Sequence, residues 1–192
     1  MDKLRVLVVK MVGALGEENV VTLDTLNDLG DVLIENGEYE EARIVLERCL
    51  AGREKVLGEY HKDTLGTVNN LGIAYKELEN YEKALEYYER ALKGKEKTLG
   101  KTHPDSLNIM VNIAGVYQEG LKDYRKAEEL CQRALKGYEE QLGKDHHSTM
   151  SCAKGLAICL GFAGEKQKLR KILDEYHDLL EGDHSEWFKE RL

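Results

Sequence analysis

Proline is nearly absent. Pro104 is the only one in 192 residues, so little in this chain breaks a helix. Long apolar runs are missing too. The longest, Gly155 to Gly164, is ten residues, about half of the roughly 20 that a membrane-spanning helix needs, so no membrane partner is expected. The opening MDKLRVLVVKMVG is broken by Lys10 directly after Val9, which argues against a signal peptide. Cysteine is scarce: Cys49, Cys131, Cys152 and Cys159 form no CxxC pair, and they read as reduced thiols of a cytoplasmic protein. No GxGxxG, P-loop or GxSxG stretch occurs, so no cofactor is expected and the usual catalytic motifs are missing. Positive charge is in deficit: Lys plus Arg number 28 against 36 Asp plus Glu, a net charge of −8. Such a surface repels phosphate backbones, which excludes nucleic acid as the expected partner.

What the chain has is an internal repeat. Leu-Gly recurs at Leu15-Gly16, Leu57-Gly58, Leu99-Gly100 and Leu142-Gly143, at spacings of 42, 42 and 43. Tyr39, Tyr81 and Tyr124 keep the same period, each followed three residues later by alanine (Ala42, Ala84, Ala127). The extra residue of the third interval falls near Gly120, where KELENY becomes QEGLKDY. Each unit splits into two helices. The first carries a large-large-small-large stripe at helical spacing: Leu26, Leu29, Gly30, Leu33, then Val68, Leu71, Gly72, Tyr75, then Met110, Ile113, Ala114, Tyr117. The second carries Ala42-Leu46-Cys49, Ala84-Tyr88-Ala91 and Ala127-Cys131-Ala134. Thr64, Ser106 and Thr149, or the residue before each, are the expected N-caps of the following helix. Gly52, Gly94 and Gly137 sit in register inside the second helix. Glycine costs about 1 kcal/mol there, so close packing or a bend is expected at these points.

The segments NNLGIAYKELENYEKALEYYERAL (69–92) and EKTLGKTHPDSL (96–107) resemble the tetratricopeptide repeat, in its 42-residue kinesin light chain variety. The resemblance covers about residues 15 to 176. It implies an all-α, right-handed superhelical solenoid of antiparallel helix pairs, with a concave face that binds peptides. The expected division is an N-terminal helix over 1–16, repeats over 17–58, 59–100, 101–143 and 144–181, and a C-terminal capping helix over 182–192. Repeat four departs from the pattern, with Leu169 in place of the small alanine and His147 in place of proline. Residues 3 to 14 align with the second helix of a further unit, read either as a cap or as part of a longer array. DHSE (183–186) reads as a capping box opening a last helix, in which Trp187 and Phe188 would cover repeat four near Phe162 and Ile158.

The resemblance also places the first helix of each pair along the groove. The groove positions are Asp24, Asn27, Asp28, Asp31, Ile34 and Glu35 in unit one. In repeat two they are Gly66, Asn69, Asn70, Ile73, Lys76 and Glu77, and in repeat three Asn108, Val111, Asn112, Gly115, Gln118 and Glu119. Asp24, Asp28, Asp31 and Glu35 form one line along a helix. They are either a solvated face or an electrostatic site for a basic peptide. Asparagine both donates to and accepts from a peptide backbone, which makes Asn27, Asn69, Asn70, Asn108, Asn112 and Gln118 candidate clamp residues beside Asp28 and Asp31. The alternative is that one asparagine of each pair fixes the register of neighbouring helices. Chaperone-binding relatives hold a carboxylate with Lys and Arg, but only Lys76 and Lys154 are basic here. Kinesin light chains prefer acidic cargo, from which the acidic first unit departs. His61, His103 and His146 recur once per unit. Stacked units lie about 10 Å apart while zinc ligands sit about 2.1 Å from one ion, so no metal is expected.

The expected function is therefore a non-catalytic scaffold holding a protein or extended peptide, with a basic one preferred, as a cargo or complex adaptor. The alternatives are an array that self-associates through its ends, a regulatory segment of a larger protein, and an enzyme built on a helical solenoid. The last needs a nucleophile or base among the groove acids, and the sequence places none there.

Overall fold

The computed structural model describes residues 2–177 and 185–192, and among them it contains helices and turns and no strand. The helices are α1 (Asp2–Leu15), α2 (Val20–Glu35), α3 (Tyr39–Leu57), α4 (Lys62–Glu77), α5 (Tyr81–Leu99), α6 (Pro104–Gly115), α7 (Tyr124–Leu142), α8 (His147–Ala163), α9 (Lys166–Glu175) and α10 (Ser185–Arg191). They fall into two compact units, Met1–Thr98 and Leu99–Leu192.

The recurrent Leu-Gly ends a helix. Gly16, Gly58, Gly100 and Gly143 have φ of 85°, 88°, 99° and 84°, a region a β-carbon disfavours. Four residues on from Gly58, Gly100 and Gly143 the next helix has already begun, and its N-cap is the recurrent histidine. His61, His103 and His146 accept through Nδ1 from the backbone N–H of Asp63, Asp105 and Ser148, at 3.3, 3.2 and 3.1 Å. This corrects the expected caps. Thr64, Ser106 and Thr149 are buried inside the first turn. The latter two use their hydroxyls to hold the preceding loop, Ser106 donating to Gly100 O at 2.8 Å and Thr149 to Gly143 O at 2.7 Å.

In unit one the helix pairs lock by two exchanges of bulk for space. Leu23 of α2 lies over Gly52 of α3, where a β-carbon would come within 2.4 Å of its Cδ2, and Leu65 of α4 lies over Gly94 of α5 at 2.3 Å. In the other direction Leu46 of α3 fills the space over Gly30, and the Tyr88 ring of α5 fills that over Gly72. The registered glycines thus admit a leucine of the partner helix. Their helix-propensity cost is offset by burial of a full leucine, worth about 1.5–3 kcal/mol. α1 packs on α2 and is pinned to α3 by Arg5, which donates to Glu38 and Glu41 at 2.7 Å each. It leaves Val6, Leu7 and Val9 exposed.

In unit two Leu107 of α6 covers Gly137 of α7 in the same way, at 2.7 Å. The Gly72/Tyr88 register is occupied by Ala114 and Cys131, both buried, a larger small residue matched to a smaller large one. The extra residue of this repeat is not in the turn. It is taken up as a π-helical turn, Val116–Gly120, that continues α6. The turn itself is the same as in unit one: Glu79 and Lys122 have φ of 58° and 56°, and Asn80 and Asp123 each accept from a backbone N–H three residues on, at 3.2 Å. The inserted residue is thus absorbed in one widened helical turn.

All four cysteines are buried free thiols. Leu169 is fully buried in α9, which has ten residues against nineteen in α3, α5 and α7. Asp183 and His184 of the expected capping box lie outside the described residues. Among the described residues no helix is long and apolar enough to cross a membrane.

Candidate functional site

The site in unit one is built from α2 and α4, held together by a side chain that carries no repeat signature. Arg53 follows the packing glycine Gly52 in α3, and it is only 5% exposed. Its Nη2 donates to Asp24 Oδ1 at 2.6 Å. Its Nη1 faces Thr67 Oγ1 at 2.7 Å, Asp63 O at 2.9 Å and Asn27 Oδ1 at 3.1 Å. The Thr67 hydroxyl donates to Asn27 Oδ1 at 3.0 Å. One cation thus joins the first helices of two successive repeats through the second helix of the earlier one. Nothing periodic signals it, because the matching positions carry Lys95 and Tyr138. The available signal was charge: an arginine directly after a packing glycine, in the repeat whose first helix is acidic.

The line of acids divides in two. Asp28 and Glu35 are exposed. Asp24 is half-exposed but bound to Arg53. Asp31 is half-buried and accepts from Asn27 Nδ2 at 3.0 Å on one oxygen and from Asn70 Nδ2 on the other. Burial, with Asp28 and Glu35 nearby, pushes the Asp31 carboxyl up to about 6 against the pull of Arg53 and the Asn70 hydrogen bond. Asn70 also accepts from Asn69 Nδ2 at 3.5 Å. Asn27, Asp31, Asn69 and Asn70, expected as separate clamp residues, are therefore linked into one hydrogen-bonded patch. Asn70 keeps one N–H and one lone pair beyond these bonds.

In unit two Asn108 is exposed, and Asn112 and Gln118 are half-buried. Gln118 lies in the π-turn and accepts the Cys159 thiol through Oε1 at 2.8 Å. Asn108 and Val111 of α6 face His147, Ser148, Ser151 and Cys152 of α8 across a cavity of about 140 Å³. Tyr138, at the register of Arg53, also lines it. The Tyr138 hydroxyl donates to Pro104 O at 3.4 Å, and burial pushes that phenol up to about 12. Among the described residues no group of three or more His, Cys, Asp or Glu is placed to hold a metal.

The tetratricopeptide repeat family matches residues 21–97, 67–125 and 105–181. No curated protein sequence matches the chain. Among solved structures it is similar to a Podosopora anserina protein of the kinesin light chain kind with nearly identical TPR-like repeats. For a form of that protein carrying one substitution the identity is 24%, over 92% of this chain and 83% of that one, with a TM-score of 0.79. Without that substitution the identity and coverage are the same and the TM-score is 0.77. BtubC (BKLC) from P. vanneervenii is 20% identical over 82% of this chain and 63% of that one, with a TM-score of 0.75. At these identities the likeness is one of fold, an all-α solenoid of antiparallel helix pairs.

Proposed function

The chain belongs to the tetratricopeptide repeat family, and we propose that it is a non-catalytic interaction module whose first unit receives a basic segment of a partner protein. The observation that carries this reading is the patch on α2 and α4. Four carboxylates, Asp24, Asp28, Asp31 and Glu35, share it with a single buried cation, Arg53, which is internally committed. The patch therefore presents net negative charge through Asp28 and Glu35, while Asn70, with one N–H and one lone pair left over, supplies an amide for a peptide backbone and Asn27 and Asn69 order the patch around it. In unit two the exposed Asn108 offers the same amide chemistry. Exposed charge pairs contribute only about 0.2–1 kcal/mol each, so the preference for basic partners is collective and modest.

The test is a binding titration of lysine- and arginine-rich, neutral and acidic peptides at two salt concentrations. Basic peptides should bind best, more weakly at high salt, since the Debye length shrinks to about 3 Å at 1 M. Asp28→Asn with Glu35→Gln should slow their association more than it speeds dissociation. Acidic peptides binding best, or the double variant binding like the parent, sinks this reading. A second reading, association of two copies through α1, is favoured by the exposed Val6, Leu7 and Val9. It requires a concentration-dependent mass that Val9→Glu abolishes.

A further inference from the structure

In repeat two, four residues from three helices meet between α3 and α5. The Tyr75 ring of α4 stacks on Tyr87 of α5, centroids 5.3 Å apart and 12° from parallel. The Tyr75 hydroxyl donates to Glu47 Oε1 of α3 at 2.6 Å. Lys83 of α5 stands over the Tyr75 ring at 4.9 Å and donates to its hydroxyl at 3.3 Å. Repeat three keeps the pair of lysine and ring, with Lys126 Nζ 4.8 Å from the Tyr117 centroid. Repeat four keeps the lysine and lacks the rings. At the registers of Glu47, Tyr75, Lys83 and Tyr87 stand Gln132, Leu160, Lys168 and Ile172.

All four line one open cleft of about 270 Å³ between α7 and α9. Leu135, Leu156 and Leu160 at its base are buried, and Lys136 and Lys171 stand exposed at its rim. Its polar groups are already set in place. Glu128 is 9% exposed, and its Oε1 accepts from Lys168 Nζ at 2.8 Å and from Gln132 Nε2 at 2.9 Å. Gln132 Oε1 is left as an acceptor. Among the described residues no aromatic ring lines the cleft. α10 packs elsewhere on α8, where Trp187 lies over Gly161 and 5.2 Å from Phe162. Nor is the cleft on the peptide-facing side. The positions 43 residues on from the groove positions of repeat three are Ser151, Lys154, Gly155, Ile158, Gly161 and Phe162, and none of them lines it.

We propose that this cleft is a docking site for a tyrosine side chain of a partner protein, which takes the place that Tyr75 and Tyr117 hold in the two preceding repeats. Aliphatic residues at both ring positions leave the volume, and the retained lysine and acceptor say which group fills it. The ring enters over Leu160 and beside Ile172, its face meets the Lys168 ammonium, and its hydroxyl donates to Gln132 Oε1. A cation over a tyrosine face attracts it through the ring quadrupole. Glu128 holds both Lys168 and Gln132 beforehand, so binding costs them little rotamer freedom. This inference does not rest on the acidic patch of unit one.

The experiment uses the full chain, isotopically labelled for NMR, and three short neutral peptides that differ only in a central tyrosine, phenylalanine or leucine. The tyrosine peptide should bind saturably, at about millimolar strength as suits a single side chain, and should shift the methyl signals of Leu135, Leu160 and Ile172. The phenylalanine peptide, without the hydroxyl, should bind more weakly and the leucine peptide more weakly still. Lys168→Gln should weaken the tyrosine peptide about two- to fivefold. Leu160→Tyr supplies the ring from within the chain and should abolish binding. The proposal is overturned if the native chain shows no saturable binding, if the leucine peptide binds as tightly as the tyrosine one, or if Lys168→Gln or a folded Leu160→Tyr chain binds like the parent. The native and Lys168→Gln titrations decide it even if Leu160→Tyr does not fold. Self-association of the native chain that Leu160→Tyr removes would put a second copy in the cleft and overturn the assignment to a partner.

Discussion

Helix α4 contains two glycines with opposite demands, and alanine at each separates packing from propensity. Around Gly66 a β-carbon meets nothing within 4 Å. Gly66→Ala should gain the propensity difference alone, about 1 kcal/mol, and raise Tm by about 2–4 °C. At Gly72 a β-carbon would lie 2.6 Å from both Cδ1 and Cε1 of Tyr88. That ring is 1% exposed and, being planar and enclosed, cannot swing its end aside as a leucine can. Overpacking costs about 1–3 kcal/mol. Against the same gain of about 1 kcal/mol, Gly72→Ala should lose up to about 2 kcal/mol, or up to about 8 °C in Tm. Adding Tyr88→Cys recreates the Ala114/Cys131 pair of the next repeat at this register. It should be less destabilising than the sum of the single changes by at least about 0.5 kcal/mol. Thermal and urea melts followed by circular dichroism read the parent, Gly66→Ala, Gly72→Ala, Tyr88→Cys and the Gly72→Ala/Tyr88→Cys double variant. If Gly72→Ala stabilises as much as Gly66→Ala, the interlocking described for α4 and α5 is wrong.

Two further predictions concern the Arg53 network. Arg53→Met keeps much of the buried volume but leaves Asp24, the Asn27 carbonyl and the Thr67 hydroxyl without their cation. It should cost about 1–3 kcal/mol, from buried acceptors left without a donor while the half-exposed Asp24 is rehydrated, and Arg53→Lys should recover little, since one ammonium cannot span the fork; a melt indistinguishable from the parent's would refute it. The Asp31 carboxyl titrates at about 6 in the folded chain, above its ordinary 3.8. The folded state therefore holds the proton more tightly, and the stability this contributes is full below about pH 4 and is lost as pH rises through about 6. Asp31→Asn removes that loss, so the variant should gain stability relative to the parent between about pH 4.5 and 7.5; a difference that does not change with pH would show that Asp31 is not desolvated.

The period of 42, the two-helix unit, the stripe of large and small residues and the places where helices stop were all readable in the sequence. Each is a local or periodic property, repeated often enough to register: glycine after leucine at a positive φ, alanine three residues after tyrosine, leucine at helical spacing. The amides and carboxylates of the first helices were readable for the same reason, since they stand at fixed register there. The recurrent histidine was visible as a pattern, but its capping role was not. An imidazole acceptor for a backbone N–H two residues on depends on a φ/ψ at the N-cap that composition does not reveal. The extra residue near Gly120 was located, but whether it would widen the turn or the helix depends on the left-handed residue at Lys122 keeping the turn closed.

Three features belong to the tertiary structure alone, because each joins residues far apart in sequence and neither position names its partner. Arg53 reaches Asp24 and Thr67 from a helix between them and turns separate groove residues into one patch, leaving Asp28 and Glu35 as its exposed charges. Gly52, Gly94 and Gly137 stood in register as points of close packing or a bend, and the structure supplies the leucine of the partner helix that packs on each. Gly161 is silent in the sequence, and its meaning comes from a tryptophan 26 residues later that needs the volume of the missing side chain. Periodicity determined which face of each helix is buried; packing decided which exposed residues are already committed to one another, because volume and hydrogen-bonding capacity are used up between pairs and no single position in a repeat records its partner.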